Sequence, residues 1–447
     1  MAQRRRFLAL LGGGLFGASL LVSAIPSSLT AAVAQGAPKK AAPAAKGGGA
    51  LETKAINLGF IPILESAALV IGVEKGFFAK HGLTDVNLTK QASWPSARDN
   101  VVLGSGGGGI DGGQWQLPMP QMITNGAITN GRKVPMYILA MLSSQGNGIV
   151  ASNSVKKAEL GLDTKGDGAF FTKFEKEKGR KFRAAMTFPK ANQDMWIRYW
   201  LAAGGVDPDK NVELLTVPSA ETVAGMRNGT MELFSTGDPW PSRAVKEKFG
   251  YLVATTANIW RVHPEEFLAV RADWVKKNPK ATIALLKGVM EAQQWLAKAE
   301  NKDEAAKILS SRKWFNAPED IIERSLKGGY KVGPSAQVEN NPNMAPLYWN
   351  SPRGVISYPY KSLTMWFLLE SMRWKFFPGQ LPNIAAAKAL NDQVTREDLW
   401  KQAAKELGVP AKDIPKGSSR GTERFFDGVV YDPTKPQAYL DSLKIKR

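Results

Sequence analysis

The 447-residue sequence contains no cysteine and only two histidines, His81 and His263. The absence of cysteine excludes disulfides, iron–sulfur clusters and a lipid anchor attached to a cysteine. With so few histidines, a zinc site or a histidine-based catalytic triad is also disfavoured. Beyond the amino-terminal segment, no stretch offers the roughly 20 uninterrupted apolar residues that a membrane-spanning helix needs. We therefore expect a protein that is not an enzyme and that carries no cofactor.

The amino terminus has the layout of an export signal. Arg4-Arg5-Arg6 precede an apolar, glycine-rich stretch that ends near Ile25, and Ala32-Val33-Ala34 offers small residues for cleavage. This order is typical of a twin-arginine signal peptide. We predict that residues 1 to 34 are cleaved near Ala34 after export through the twin-arginine translocase, which places the mature protein in the periplasm. A membrane anchor is the alternative, and the short apolar stretch disfavours it.

The segment after the signal is small and basic. Residues 35 to 52 are rich in glycine, alanine, proline and lysine, so we predict a flexible linker. The formal net charge of the chain is +19, which in a cytoplasmic protein would suggest nucleic acid as a partner. In an exported protein a basic field favours anionic ligands or serves solubility, and we expect no nucleic acid.

The remaining residues alternate between strand-like and helix-like patterns. Such an order predicts an α/β fold with parallel strands joined by right-handed crossovers. The predicted strands are Ala55 to Ile61, Val86 to Leu88, Met136 to Met141, Arg183 to Met186, Val212 to Val217, Met231 to Phe234 and Leu252 to Thr255. The predicted helices include Ala67 to Phe78, Asp194 to Ala203, Thr222 to Asn228, Pro279 to Ala299, Asp303 to Leu309, Ser362 to Phe377 and Ala385 to Leu407.

Two sets of motifs resemble a known family. The first is Leu58-Gly59-Phe60-Ile61-Pro62, followed by the run from Ala67 to Phe78 and by Gly82-Leu83. It resembles the opening of class II periplasmic solute-binding proteins, in which a strand meets a helix at the cleft between two lobes. The unpaired N–H groups at the start of such a helix suit an anion.

The second set is more specific and resembles the nitrate- and bicarbonate-binding subunits of ABC importers. The likeness spans roughly residues 53 to 400 and its blocks occur in the same order. These blocks are Ser93 to Asn100, Gly109 to Gly112, Gln145 to Gly148, Thr187 to Asp194 and Trp196 to Gly205.

The resemblance implies a class II periplasmic binding protein-like α/β fold, in which parallel-rich sheets are flanked by helices and the ligand lies in an interdomain cleft. One lobe would comprise residues 53–145 plus 256–447, including a carboxy-terminal extension, and the other residues 146–255. Closure of the lobes would remove the ligand from water. We expect a monomer whose partners are a small inorganic anion and an ABC permease of the inner membrane.

The resemblance also implies the ligand contacts. An anion taken out of water needs strong donors around its rim and a flat or apolar group against its face. Trp94 can supply an indole N–H and a flat ring, while Gln145 can supply an amide. Lys190 would be a buried counter-charge, although relatives tend to carry a histidine there, and its loss should weaken binding by about 2 to 4 kcal/mol. The full predicted set is Trp94, Ser96, Gln145, Thr187, Lys190, Gln193, Arg261, His263 and Glu266.

The residues around His263 do not decide between nitrate and bicarbonate as the ligand. Nitrate-type relatives place a basic residue near it, whereas bicarbonate-type relatives place a carboxylate that goes with a bound cation. This chain has Arg261 and His263 but also Glu265 and Glu266. We expect nitrate or nitrite, with no metal. The alternative is bicarbonate with a calcium ion held by Glu265 and Glu266, and a cofactor-bearing periplasmic oxidoreductase is a more remote one. Asp238 in the same region is predicted to cap a helix near the cleft.

Overall fold

The computed structural model of the chain describes residues 50 to 335 and 339 to 446. The predicted signal peptide, its cleavage site and most of the predicted linker therefore lie outside the described residues. Ten strands of the described residues form two five-stranded sheets. They are β1 (Ala55–Phe60), β2 (Asp85–Lys90), β3 (Gly112–Gln116), β4 (Met136–Met141), β5 (Asn147–Ser152), β6 (Phe182–Met186), β7 (Val212–Thr216), β8 (Leu233–Gly237), β9 (Gly250–Thr255) and β10 (Glu266–Arg271).

Helices cover both sheets and continue through the carboxy-terminal region. They are α1 (Ala67–Glu74), α2 (Phe77–Lys80), α3 (Trp94–Leu103), α4 (Met119–Asn125), α5 (Gly168–Lys178), α6 (Asn192–Ala203), α7 (Pro208–Asn211), α8 (Thr222–Arg227), α9 (Trp240–Lys246), α10 (Thr256–Ile259), α11 (Ala272–Lys277), α12 (Pro279–Leu296), α13 (Lys302–Ser310), α14 (Glu319–Leu326), α15 (Lys361–Arg373), α16 (Ile384–Val394), α17 (Glu397–Leu407) and α18 (Pro436–Ser442). Short ribbons pair β11 (Gly329–Tyr330) with β12 (Glu339–Asn340), β13 (Asn350–Ser351) with β14 (Gly354–Val355), and β15 (Glu423–Arg424) with β16 (Val430–Tyr431).

The two sheets share one plan. The first has the strand order β2-β1-β3-β10-β4 and the second β7-β6-β8-β5-β9. In each, three adjacent strands run parallel, as β1 does to β2 and β3, and as β6 does to β7 and β8. All strands of the first sheet come from residues up to 141 or after 265, and all strands of the second from residues 147 to 255.

One strand in each sheet departs from the predicted parallel arrangement. β10 is antiparallel to both β3 and β4, and β5 is antiparallel to both β8 and β9. These are the strands that follow each passage of the chain from one sheet to the other. A strand that enters a sheet from the side where its neighbours end must run against those neighbours. The sheets are therefore mixed, and their antiparallel strands begin next to the place where the chain crosses.

Local sequence signals explain several helix starts. Pro279 occupies the first turn of α12, as predicted, and the side chain of Glu52 accepts hydrogen bonds from the N–H groups of Lys280 and Ala281 (both 3.1 Å). The last residue of the predicted linker thus contacts the folded chain. Asp238, predicted to cap a helix, directly precedes the N-cap residue Pro239 of α9, and its carboxylate accepts a hydrogen bond from the Ser242 N–H in the first turn (3.1 Å). Within the described residues, no helix combines the length and apolarity needed to cross a bilayer.

Candidate functional site

Three buried glutamates converge where the two sheets meet, and we call Glu65, Glu265 and Glu266 the carboxylate cluster. Glu65 lies in a short turn before α1, Glu265 directly precedes β10 and Glu266 is the first residue of that strand. One carboxylate oxygen from each lies within 4.8 Å of the others. All three residues are at most 1% exposed. Buried carboxylates in such proximity repel one another unless a proton or a cation lies among them.

The cluster has few hydrogen-bond donors for so much charge. Glu265 accepts hydrogen bonds from the amides of Asn192 (3.0 Å) and Asn147 (3.4 Å) and from the indole of Trp196 (3.1 Å). Glu266 accepts one from the amide of Gln114. Both oxygens of Glu65 and one oxygen of Glu266 are buried without a partner. Within the described part of the chain, no lysine or arginine forms an ion pair with any of the three carboxylates. The cluster therefore lacks a counter-charge from these side chains.

The environment opposes ionisation of these acids. Burial raises the pKa of Glu265 to about 8, and burial together with the neighbouring acids raises the pKa values of Glu65 and Glu266 well above the ordinary range. His263 lies 3.4 Å from Glu265, but burial lowers the pKa of the His263 imidazole to about 3, so the ring is neutral. A neutral imidazole cannot balance the cluster. These acids must either hold protons or share a cation.

A second polar group lies beside the carboxylates, and we call Gln116, Thr187 and Gln193 the amide cluster. The Gln116 amide donates to the Thr187 hydroxyl (2.7 Å) and to the Gln193 side-chain carbonyl (3.1 Å), and Thr187 also bonds Gln193. The amide nitrogen of Gln193 and the amide oxygen of Gln116 remain buried without partners. The cluster thus offers one free donor and one free acceptor to a small polar ligand.

Sequence neighbours join the two clusters. Gln114 and Gln116 are two residues apart on β3, so their side chains lie on the same face of the strand. Gln114 donates a hydrogen bond to Glu266 of the carboxylate cluster, and Gln116 belongs to the amide cluster. On the facing side, Asn192 and Gln193 begin α6, whose first N–H groups lack a capping side chain. An uncapped helix start next to free polar groups favours an anion.

Trp94 is buried at the start of a helix, with an indole nitrogen that has no partner. It begins α3, which follows the end of β2 at the edge where β1 and β3 also end. Trp94 is 1% exposed, its ring centre lies 6.5 Å from that of Trp115, and its indole nitrogen has no partner. Burying an indole N–H without an acceptor is unfavourable. A ligand acceptor would satisfy it.

The structure does not bring Lys190 into this group. Lys190 is exposed, its ammonium donates to the carbonyl of Phe376 (3.3 Å), and it lies over the rings of Phe376 and Phe377. The buried counter-charge that the sequence suggested is therefore not supplied by this lysine. The backbone of Lys190 instead contacts the first turn of α6, because its N–H donates a hydrogen bond to the carboxylate of Asp194 (2.7 Å).

Gln145 and its neighbours brace a loop. The Gln145 amide nitrogen donates to the carbonyls of Asn343 (3.1 Å) and Ala345 (2.7 Å), while its oxygen accepts from the Val262 N–H (3.0 Å). Arg261 is exposed and donates to the side chain of Asn343 (2.6 Å). Both side chains are therefore engaged with the segment after residue 340.

The two other predicted residues, Ser96 and His263, lie in different surroundings. Ser96 lies in the first turn of α3, where its hydroxyl and its N–H bond the capping residue Ser93. His263 is fully buried against Trp196, with one ring nitrogen 3.0 Å from the Pro264 carbonyl and the other without a partner. Of the predicted set, Thr187, Gln193 and Glu266 thus belong to the two clusters, His263 lies beside Glu265, and Trp94 presents a buried polar group without a partner.

Sequence reasoning missed Glu65, Gln114, Gln116 and Asn192. A usable signal existed for Glu65, because it is the only charged residue between Phe60 and Val73. An acid inside a run that must be buried is expensive unless it has a partner. The amides gave no comparable signal, since polar residues near glycines are typical of turns.

Comparison with known proteins identifies the family of this chain. A model of the NMT1-like family matches residues 49–310. The bicarbonate-binding protein CmpA of Synechococcus elongatus is 63% identical over 405 residues, covering 91% of this chain and 90% of CmpA. The nitrate/nitrite binding protein NrtA of Synechocystis sp. is 49% identical over 405 residues, covering 90% and 88%.

The crystal structure of the periplasmic nitrate-binding protein NrtA from Synechocystis PCC 6803 has a TM-score of 0.84 to this chain. It is 47% identical and covers 89% of this chain and 100% of its own. The predicted fold class and the predicted family are confirmed. The chain belongs to the NMT1-like family, as a solute-binding protein and not an enzyme.

Proposed function

We propose that this protein binds bicarbonate together with a divalent cation, calcium, and delivers the anion to an ABC importer. The observation that carries the proposal is the carboxylate cluster, in which three buried acids meet without a cationic side chain among the described residues. A nitrate site of the kind expected from the sequence would need a positive group facing the anion. Here the charge that faces the cleft is negative, so a cation must bind to the carboxylates before an anion can bind beside them.

The cluster fits calcium on chemical grounds. Calcium prefers carboxylate oxygens and binds them at about 2.4 Å, so oxygens on opposite sides of the ion lie about 4.8 Å apart. The three oxygens of the cluster lie within 4.8 Å of one another. Glu65, Glu265 and Glu266 would hold the ion, and when bound it supplies the positive charge that the anion faces. Glu265 and Glu266 are the ligands expected for the bicarbonate alternative, and Glu65 is added by the structure.

The amide cluster favours bicarbonate over nitrate. Nitrate has oxygen acceptors but no hydrogen to donate, whereas bicarbonate has acceptors and one O–H donor. The free Gln193 nitrogen can donate to a ligand oxygen, while the buried oxygen of Gln116 needs a donor. Only bicarbonate can satisfy both needs. A site built for a donor rejects an analogue that lacks it, because a buried acceptor is left without a partner.

The relatives support the same choice without deciding it. The bicarbonate-binding relative shares more identity with this chain than the nitrate/nitrite-binding relative does, at 63% against 49%. The solved NrtA relative is a periplasmic protein, and we place this one in the periplasm as well, where it would meet the permease of an ABC importer. Export through the twin-arginine translocase and a monomeric state remain predictions from the sequence.

Calorimetry with four ligand mixtures tests the proposal. Bicarbonate with calcium should give a saturable heat of binding near pH 8. Bicarbonate with a chelator, nitrate with calcium and nitrate with a chelator should give none. Nitrate binding in the chelator, with no heat from bicarbonate and calcium, would overturn the proposal and restore the nitrate interpretation.

Replacing Trp94 by phenylalanine isolates the indole N–H. We expect Trp94→Phe to weaken bicarbonate binding by about tenfold, because a buried hydrogen bond is lost while the ring remains. Calorimetry in saturating calcium measures the change. Trp400→Phe is the matched control, since the Trp400 indole is buried and bonded to Ser357 outside the two clusters. Equal effects of both substitutions would contradict a ligand contact at Trp94.

Replacing Lys190 tests the earlier expectation directly. Because Lys190 is exposed and contacts the segment around Phe376, Lys190→Ala should change bicarbonate affinity by less than about twofold. A loss of about 2 kcal/mol or more, as expected for a buried counter-charge, would show that Lys190 reaches the anion. The same calorimetric titration distinguishes the two outcomes.

A further inference from the structure

A cavity outside the ligand cleft lies between the second sheet and the segment after α13. Its volume is about 240 Å³. It shares no lining residue with the carboxylate cluster or the amide cluster. Its walls include Lys246 of α9, Leu252 of β9, Arg324 of α14, Tyr330 of β11 and Lys331.

The charged groups of this cavity are all cationic. Arg324 and Lys331 have no ion pair among the described residues, and the described residues that line the cavity include no acid. Lys246 forms an ion pair with Asp320, which belongs to α14. Asp320, whose charge also acts on Arg324, offsets one of the three cationic charges, so the described residues at the cavity keep a net positive charge. A cavity with net positive charge attracts a compact anion.

The walls come from two parts of the chain that are far apart in sequence. Lys246 and Leu252 belong to α9 and to β9 of the second sheet, whereas Arg324 belongs to α14, which packs on α13, and α13 contacts α1 beside the first sheet. The two sides already touch beside the cavity, through the hydroxyls of Ser242 and Ser325 (3.0 Å) and through the Gly333 N–H and Leu252 carbonyl (2.7 Å). An anion bound by both sides would add to this connection.

A chain of contacts leads from the cavity to the carboxylate cluster. Tyr330 lines the cavity, and its hydroxyl interacts with the buried carboxylate of Asp238. The carbonyl of Asp238 accepts a hydrogen bond from the Leu64 N–H (2.7 Å), next to Glu65. Anything that fixes Tyr330 and α9 therefore fixes the surroundings of Glu65.

We propose that this cavity binds a compact divalent oxyanion, phosphate or sulfate, and that the bound anion tightens ligand binding in the cleft. The binding step stands on its own, whereas the coupling step rests on the proposed function. The anion would bridge Arg324 and Lys331 on one side and Lys246 on the other. By linkage, an anion that favours the closed arrangement raises the affinity for any ligand that favours it too.

Binding is tested without any cleft ligand. The mature protein, in chelator and at constant ionic strength set with chloride, is titrated with phosphate and separately with sulfate by calorimetry. We expect one saturable site in the wild type and a loss of at least about tenfold in affinity in the double variant Arg324→Gln, Lys331→Gln. The matched control is Arg132→Gln, Lys133→Gln, which removes the same charges from an exposed loop. No saturable heat up to about 10 mM of either anion, or equal binding by both double variants, overturns the site.

Coupling is tested with sulfate, which stays soluble with millimolar calcium. Saturating sulfate should improve the affinity for bicarbonate and calcium by about fivefold in the wild type and leave the Arg324→Gln, Lys331→Gln variant unchanged. Sulfate binding without any change in bicarbonate affinity would overturn the coupling while leaving the site intact. Sulfate binding with no bicarbonate binding at all would instead refute the proposed function.

Discussion

Replacing Glu65 by glutamine should remove calcium-dependent bicarbonate binding and at the same time stabilise the metal-free protein. Calcium affinity should fall by about 100-fold or more, because it depends on the number of charged ligands. Glutamine has nearly the same shape, and both oxygens of Glu65 lack partners, so the substitution breaks no hydrogen bond of that carboxylate. The free energy of unfolding without calcium should rise, since one source of repulsion among buried acids is gone.

A buried glutamate elsewhere provides the matched control. Glu232 is 5% exposed, pairs with Arg180 and accepts a hydrogen bond from the Arg183 N–H. Glu232→Gln should leave calcium affinity unchanged and lower the free energy of unfolding, because the guanidinium of Arg180 loses its charged partner. Glu65→Gln should therefore lose calcium affinity and gain stability, whereas Glu232→Gln should keep calcium affinity and lose stability. Calcium titrations and urea unfolding of both would show it, and unchanged calcium binding in Glu65→Gln would contradict the proposed site.

The contrast between Glu65 and Lys190 shows what the sequence could and could not tell. The β-rich apolar run before Pro62 correctly predicted β1, and the run after it predicted α1, because burial patterns are local. Whether a charged residue in such a run faces the core or the cleft depends on where the other sheet lies. Lys190 is adjacent in sequence to residues that face the cleft, yet it is exposed and contacts Phe376, far along the chain.

The strands that carry the site were also the hardest to predict. β3 reads Gly-Gly-Gln-Trp-Gln, with two glycines and two amides, which is a poor strand pattern by propensity. Its burial is nevertheless complete, because the two glutamines face a polar cleft enclosed by the second sheet. β10 was missed for a related reason, since it opens with a buried glutamate. Functional positions break the local rules that identify ordinary strands.

The metal-free protein should lose stability as the pH rises from 6.5 to 8. Burial raises the pKa of Glu265 to about 8, whereas in the unfolded chain a glutamate titrates near 4.5. Between these values the folded state keeps a proton that the unfolded state has released. Stability then falls with increasing pH by about 1.4 kcal/mol per unit for each such proton. Glu65 and Glu266, whose pKa values burial and neighbouring acids also raise, add to the fall.

Above pH 6.5, the pH dependence of stability due to the three glutamates is separated from the contribution of His263. Burial lowers the pKa of the His263 imidazole to about 3, so its contribution rises with pH only up to the ordinary histidine value of 6.5. Urea midpoints measured in chelator from pH 6.5 to 8 should therefore fall, and excess calcium should abolish the fall, because the cation replaces the protons. Glu65→Gln should show a shallower fall in chelator, while Glu232→Gln should keep the full slope. A midpoint in chelator that stays constant or rises over this range would mean that the three carboxylates are already ionised without a metal, and the argument for a cation site would fail.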